Sequence, residues 1–228
     1  MLLLRMRYLL YVSLLIGLCG VSCASKLRPL KPDTVFAANN LDLALGAYNK
    51  VLYHCSVYGK APLGKKFNLT GILFIKQLPD SSTRVVFQSQ MGMTYFDFEW
   101  NKDEQFKVVA IIGQMENAAL IKTLRKDFEI LLLTHYKPED AAVFSTKVVE
   151  KVLRAQLEKA WIDYVFSNGQ LIQIQNADDK RVVVDMRLSG VTGNSPLAEK
   201  IKINHLRANF KIDMRKIDII EDDDTFEE

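Results

Sequence analysis

Apolar and polar residues alternate along most of this chain, and the period of the alternation changes twice. Leu41, Leu43, Leu45, Ala47 and Tyr48 follow Asn39 and Asn40, which predicts a capped helix over 39–53. From residue 51 the period falls to two. Strands are predicted over 51–58, 67–77, 84–90, 93–100 and 106–113, separated by Gly-, Pro-, Asn- and Asp-rich turns. In the fourth of these runs Phe96, Phe98 and Trp100 share one face, while Tyr95, Asp97 and Glu99 share the other.

The period then lengthens. Leu120, Leu124, Phe128, Leu131 and His135 recur at spacings of three and four, predicting a helix over 117–134. Pro138, Glu139 and Asp140 suit the first turn of a second, short helix reaching 145. Residues 147–159 fit either period through Leu153, Ala155 and Leu157, and are read as strand because sheet follows. Runs over 161–166 and 171–175 flank Asn168-Gly169, the strongest short hairpin signal. Further strands are predicted over 181–188, 200–207 and 209–216.

Strands bracketing a helical insert imply one α+β domain, placed at 39–218. An antiparallel sheet of about 10–11 strands accumulates twist and curls. The expected fold is therefore an incomplete β-barrel with helices inserted on its concave side. Phe74, Phe87, Phe96, Phe98, Leu124, Phe128 and Ile174 are the expected lining of an apolar, ligand-binding interior.

Residues 1–22 have the layout of a signal peptide: Arg5 and Arg7, an apolar run over 8–18, then Gly20 and Ser22. The alternative is an uncleaved anchor, but the run falls short of the roughly 20 apolar residues that span a bilayer. Gly20-Val21-Ser22-Cys23 resembles a bacterial lipobox, which implies lipidation of Cys23 and a membrane lipid anchor. The competing reading is plain secretion, with Cys23 free to pair with Cys55. Ala24 and Ser25 follow the cysteine without an acidic residue; by the best-known sorting rule this points to the outer membrane, facing the periplasm. Residues 23–38 are basic and punctuated by Pro29 and Pro32, as in a tether that avoids helix. Asp33-Thr34-Val35 resembles the O-glycosylation sequon of Bacteroidetes and serves equally as a helix cap. Residues 219–228 form an acidic tail.

Composition narrows the function. The 228 residues are 49% hydrophobic and 25% charged, which is globular rather than disordered. A formal charge of +3 lacks the electrostatic footprint of a nucleic-acid binder. Three cysteines make neither a disulfide-dense scaffold nor an all-cysteine zinc site. His54, His135 and His205 have no metal-ligand spacing, and no hydrolase, phosphate-loop or zincin motif occurs, so neither an enzyme nor a cofactor is expected. Asp97 and Glu99 could pair as acid and base, but solvated sheet-face residues are the stronger reading.

Three features resemble the LolA/LolB-like lipoprotein-carrier superfamily. They are Cys23 in its lipobox-like setting, the strand Leu69-Thr70-Gly71-Ile72-Leu73-Phe74-Ile75-Lys76, and a closing half. That closing half runs from 161–166 through Asn168-Gly169 and Pro196 to Ile201-Lys202-Ile203-Asn204-His205. The resemblance spans about 51–218 and implies a half-barrel whose cavity takes acyl chains. In the receptor branch an exposed leucine on a strand-connecting loop aids insertion. The polar turn 79–82 has none, and Leu63 is the nearest counterpart. The expected role is a membrane-anchored periplasmic lipoprotein that binds a lipid or acyl chain, in lipoprotein or lipid trafficking or outer-membrane biogenesis. The alternative is a scaffold lipoprotein that binds an envelope protein partner.

Overall fold

In a computed structural model, residues 31–32, 43–45, 48–60, 66–134, 136–145, 150–158, 160–178, 181–208 and 210–217 are described. Among these residues thirteen strands form one sheet, antiparallel at every pairing. In chain order they are β1 (Lys31–Pro32), β2 (Lys50–Lys60), β3 (Lys66–Gln77), β4 (Thr83–Gln88), β5 (Thr94–Trp100), β6 (Phe106–Ile111), β7 (Ala142–Ser145), β8 (Glu150–Leu157), β9 (Ala160–Ser167), β10 (Gln170–Ala177), β11 (Val182–Ser189), β12 (Lys200–His205) and β13 (Phe210–Lys216). Across the sheet the order is β1-β7-β8-β9-β10-β11-β12-β13-β2-β3-β4-β5-β6. The two halves of the chain join where β13 pairs with β2.

This topology explains the helix. β6 is one edge of the sheet, and β7 lies beside β1 at the other. The connection from β6 to β7 must return across the open side of the curled sheet, and α1 (Ala118–Leu131) is that connection. Asn117 caps it, its Oδ1 accepting from the backbone N–H of Ala119 and Leu120 at 2.9 and 3.1 Å. Leu124, Phe128 and Leu131 are buried, as their spacing requires.

The concave face is read directly from the register. Tyr53 opposes Leu73, Leu73 opposes Phe87, and Phe87 opposes Phe96, so one apolar row crosses four strands. A second row on the same face runs from Met186 through Ile203 and Ile212 to Val57 and Leu69, across β11, β12, β13, β2 and β3. The convex face holds charges in pairs. Arg154 grips Asp163 through two bonds of 2.6 and 2.7 Å. Arg84 spans Asp97 and Glu99. Asp97 and Glu99 are thus ion-pair partners on the sheet's outer surface.

Three expectations change. The helix over 39–53 does not form among its described residues: 43–45 carry no regular structure and β2 begins at Lys50. Leu41, Leu43 and Leu45 also lie two apart, and a strand at 50–60 gains pairing on both sides, with β3 and β13. The second helix is only a 3₁₀ turn, Pro138–Asp140, before β7. Ala142–Ser145 instead pairs with both β8 and β1, satisfying its backbone in the sheet. The strand count exceeds the expected 10–11. Cys23, residues 1–22, the sequon 33–35, Leu63, His135 and the tail 219–228 lie outside the described residues, as does the tether over 23–38 except Lys31–Pro32.

Candidate functional site

The strand directions place six connections at one end of the half-barrel: β2–β3, β4–β5, β6–α1, β8–β9, β10–β11 and β12–β13. A cavity of about 570 Å³ opens at this end, between the first half of α1 and the sheet. That volume falls within the roughly 300–1,000 Å³ typical of small-ligand sites. Its walls come from four places. Cys55, Val57, Leu69 and Leu73 project from β2 and β3; Phe87 and Phe96 close one side; Phe210 and Ile212 close the other; Leu120, Leu124 and Phe128 form the roof from α1.

The aromatic wall is packed rather than loose. Phe96 lies 5.9 Å from Phe128, 5.7 Å from Phe87 and 4.5 Å from Phe98, centroid to centroid. Such pairs contribute about 0.5–1.5 kcal/mol each beyond burial and hold the rings in place. A preformed wall leaves less side-chain entropy to lose when a ligand enters.

The few polar groups inside are already committed or neutral. Asn117 Oδ1 is used in capping, and the Thr123 hydroxyl donates to the Ala119 carbonyl at 2.8 Å. Burial, with a smaller push from Asp213, raises the Cys55 thiol to about 12, so it stays protonated and is a poor nucleophile. Among the described lining residues Lys60 is the one charged side chain, and it stands at the rim. Among the described residues, no group of three His, Cys, Asp or Glu side chains gathers in metal-binding distance. The arrangement can shelter an apolar chain, with the polar lining residues Lys60, Gln114 and Asn117 exposed to solvent at the mouth.

The expected lining residues divide. Phe87, Phe96, Leu124 and Phe128 face the cavity. Phe98 and Ile174 are fully buried in the core without lining it. Phe74 is a correction: it sits between Leu73 and Ile75, which face inward, so it projects from the convex face and is only half buried. The run Ile72-Leu73-Phe74-Ile75 is apolar on both faces, which hides the alternation. Phe210, Ile212, Val57 and Leu69 were not foreseen as lining. The alternation of Phe210, Ile212 and Met214 was visible, but only the β13–β2 pairing brings that face to the cavity.

A buried polar contact was also not foreseen. His205, on β12, meets Asp127, on α1, at 2.7 Å, with both side chains buried. The His205 ring stacks on Phe210 at 3.7 Å, directly behind the cavity wall. It ties the roof to the sheet.

No family model matches the chain, and no curated protein does. Among solved structures the chain is similar to a LolA superfamily protein from Nitrosomonas europaea, at 10% identity and a TM-score of 0.44, covering 79% of this chain and 90% of that one. It is also similar to a DUF1329 family protein from Desulfovibrio piger, at 7% identity and a TM-score of 0.43, covering 79% and 88%. A third is a domain assigned as an outer membrane lipoprotein-sorting protein from Vibrio parahaemolyticus, at 7% identity and a TM-score of 0.38, covering 79% and 87%.

Proposed function

We propose that this protein binds a single acyl chain in the half-barrel cavity, as a lipid-anchored lipoprotein of the bacterial envelope. The carrying observation is the cavity: about 570 Å³, open at one end, walled by Phe87, Phe96, Phe128, Leu124 and Ile212, with Asn117 Oδ1 and the Thr123 hydroxyl already bonded within α1 and its cap. Each methylene that moves from water into such a space gains about 0.8 kcal/mol. A chain of a dozen carbons therefore binds usefully even after the cost of ordering it. Because the polar lining residues Lys60, Gln114 and Asn117 are exposed at the mouth, selection along the apolar interior is for chain length and shape.

The anchor part of the reading rests on Gly20-Val21-Ser22-Cys23. Acylation at Cys23, a short way before β1, keeps the half-barrel close to the outer membrane, on its periplasmic side. Binding and release of an acyl chain there fits lipid or lipoprotein trafficking. No bond is made or broken in this role. The test is the lipid extract of protein purified from bacterial envelopes. A stoichiometric acyl lipid in the extract, absent after denaturing purification and reloading with buffer alone, supports the reading. Protein that carries no lipid and takes up none when offered fatty acid contradicts it.

A further inference from the structure

The convex face matches its charges at both flanks but not in the middle. Arg154 meets Asp163, Arg84 meets Asp97, and Lys107 stands directly opposite Glu99. Between these flanks, on β11, β12, β13, β2 and β3, the register sets like charges against each other. Lys200 opposes Arg215, Arg187 opposes Lys202, and Lys50 opposes Lys76. All six side chains are exposed. Like charges directly opposite on neighbouring strands destabilise a sheet. The described carboxylates answer one of the three pairs: Asp185 lies 3.3 Å from Arg187, and Asp213 stands opposite Lys202. Glu199, next to Lys200 in sequence, packs against Gly190. Lys50, Lys76, Lys200 and Arg215 are in no ion pair among the described residues.

These four bases stand towards the end of the sheet remote from the cavity mouth. β12 begins at Lys200 and β2 at Lys50, while β3 closes at Gln77 and β13 at Lys216. The chain leaves β13 at this end. The Ile217 N–H donates to the Leu52 carbonyl at 2.8 Å, so two further residues in the same register reach the level of Lys50. Residues 219–228 lie outside the described residues; they carry Glu221, Asp222, Asp223, Asp224, Glu227 and Glu228, and no lysine or arginine. Neighbouring strands lie about 4.8 Å apart, so Lys50, Lys76 and Lys200 are all within two strand spacings of β13. Ten extended residues span up to about 35 Å, more than enough to reach each of them.

We propose that residues 219–228 occupy this face: the acidic segment folds back from the end of β13, and its carboxylates meet Lys50, Lys76, Lys200 and Arg215. The chain's own segment is favoured over an outside anion because it is tethered beside the bases, at an effective concentration on the order of millimolar. It also supplies carboxylates where those of the sheet fall short. The contact is autoinhibitory in kind. With the segment in place the convex face is closed to other polyanions, and displacing the segment opens it. The inference does not rest on the acyl-binding reading.

The test is carbodiimide crosslinking of the full chain, which joins a carboxylate to a lysine amine with loss of water. Peptide mass mapping is done on an equal mixture of isotopically light and heavy protein. Links are expected from 221–228 to Lys50, Lys76 or Lys200, light to light and heavy to heavy. They are expected to fall severalfold at about 1 M salt, where charges are screened beyond roughly 3 Å. A second arm uses the full chain carrying Glu221→Gln, Asp222→Asn, Asp223→Asn and Asp224→Asn, with polyglutamate as the probe. This variant is expected to bind polyglutamate severalfold more tightly than the parent, and adding Lys50→Ser with Lys76→Ser is expected to remove the gain. Absence of these links, or links to Lys122 on α1 as frequent as those to Lys50, overturns the proposal. So does equal binding of polyglutamate by the parent and the neutralised variant. Links found only between light and heavy chains overturn it in favour of a second copy of the chain.

Discussion

His205 Nε2 and Asp127 Oδ2 lie 2.7 Å apart in the interior, joining β12 to α1 across 78 residues of sequence. His205 Nδ1 faces the Phe210 carbonyl oxygen at 3.3 Å. A carbonyl only accepts, so Nδ1 carries a hydrogen, and the Nε2–Asp127 contact shares one further proton. Asp127 Oδ1 has no partner. The pair is one polar pin of the roof; a second is buried Glu129, whose Oε1 accepts from Trp100 Nε1 on β5 at 3.3 Å.

Removing one partner strands the other. Asp127→Ala is expected to destabilise the fold by about 3 kcal/mol or more, as for a broken buried pair. Replacing both, as Asp127→Leu with His205→Phe, is expected to cost less than the sum of the two single changes. Urea denaturation of Asp127→Leu, His205→Phe and the double variant measures this; additive losses would show that the two side chains do not interact.

The same pair gives a pH dependence with a definite sign. Burial pushes the Asp127 carboxyl up, more than the hydrogen bond and charge of His205 pull it down. A raised native value favours the protonated form in the fold. Its contribution is full below the unfolded carboxylate range, near about 3.9, and is lost as pH rises through the raised native value. Asp127→Asn is expected to abolish that particular decline, seen as the difference between the two stability–pH curves. Parallel curves would contradict it.

Gly71 opposes Cys55 on β2 and lies against Gln88 at the end of β4. A Cβ at Gly71 would come within 1.8 Å of the Gln88 carbonyl oxygen, which is backbone and cannot swing away. Gly71→Ala is therefore expected to cost at least about 2 kcal/mol, towards the upper part of the range for overpacking. The shift in the urea midpoint is the check. Gly113→Ala, with nothing near its Cβ position, is the control.

Cys55 is buried and its thiol is raised to about 12. At pH 8 it is expected to resist iodoacetamide in the folded protein and to react on the timescale of global unfolding. Peptide mapping of alkylated Cys55 against urea concentration gives the answer. Fast labelling in native buffer would mean that the cavity wall opens locally.

Much of this fold was legible because alternation and helical spacing are physical consequences of strand and helix geometry. Phe96, Phe98 and Trp100 share the concave face as their spacing requires, and Asn168-Gly169 turns with both residues at positive φ. Leu120, Leu124 and Phe128 marked α1. The strand at 50–60 is legible over 51–58, whereas the helix read over 39–53 does not form among its described residues, because its leucines suit either period. Phe74 was misplaced because neighbouring positions on both faces are apolar. The His205–Asp127 contact could not be read at all: neither residue stands in a local motif, and only the return of α1 across the sheet brings them together.

The central claim is that the space beneath α1 holds an acyl chain. Val57 on β2 is half buried and faces that space, so Val57→Trp fills it from the rim without disturbing the packed rings behind. The direct measurement is titration with a fluorescent fatty acid, run on the parent and on this variant. Saturable uptake at one site per chain, lost at least tenfold in affinity by Val57→Trp while the urea midpoint barely moves, is the predicted result. Weak, unsaturable binding to the parent, or binding that Val57→Trp leaves unchanged, would contradict the account.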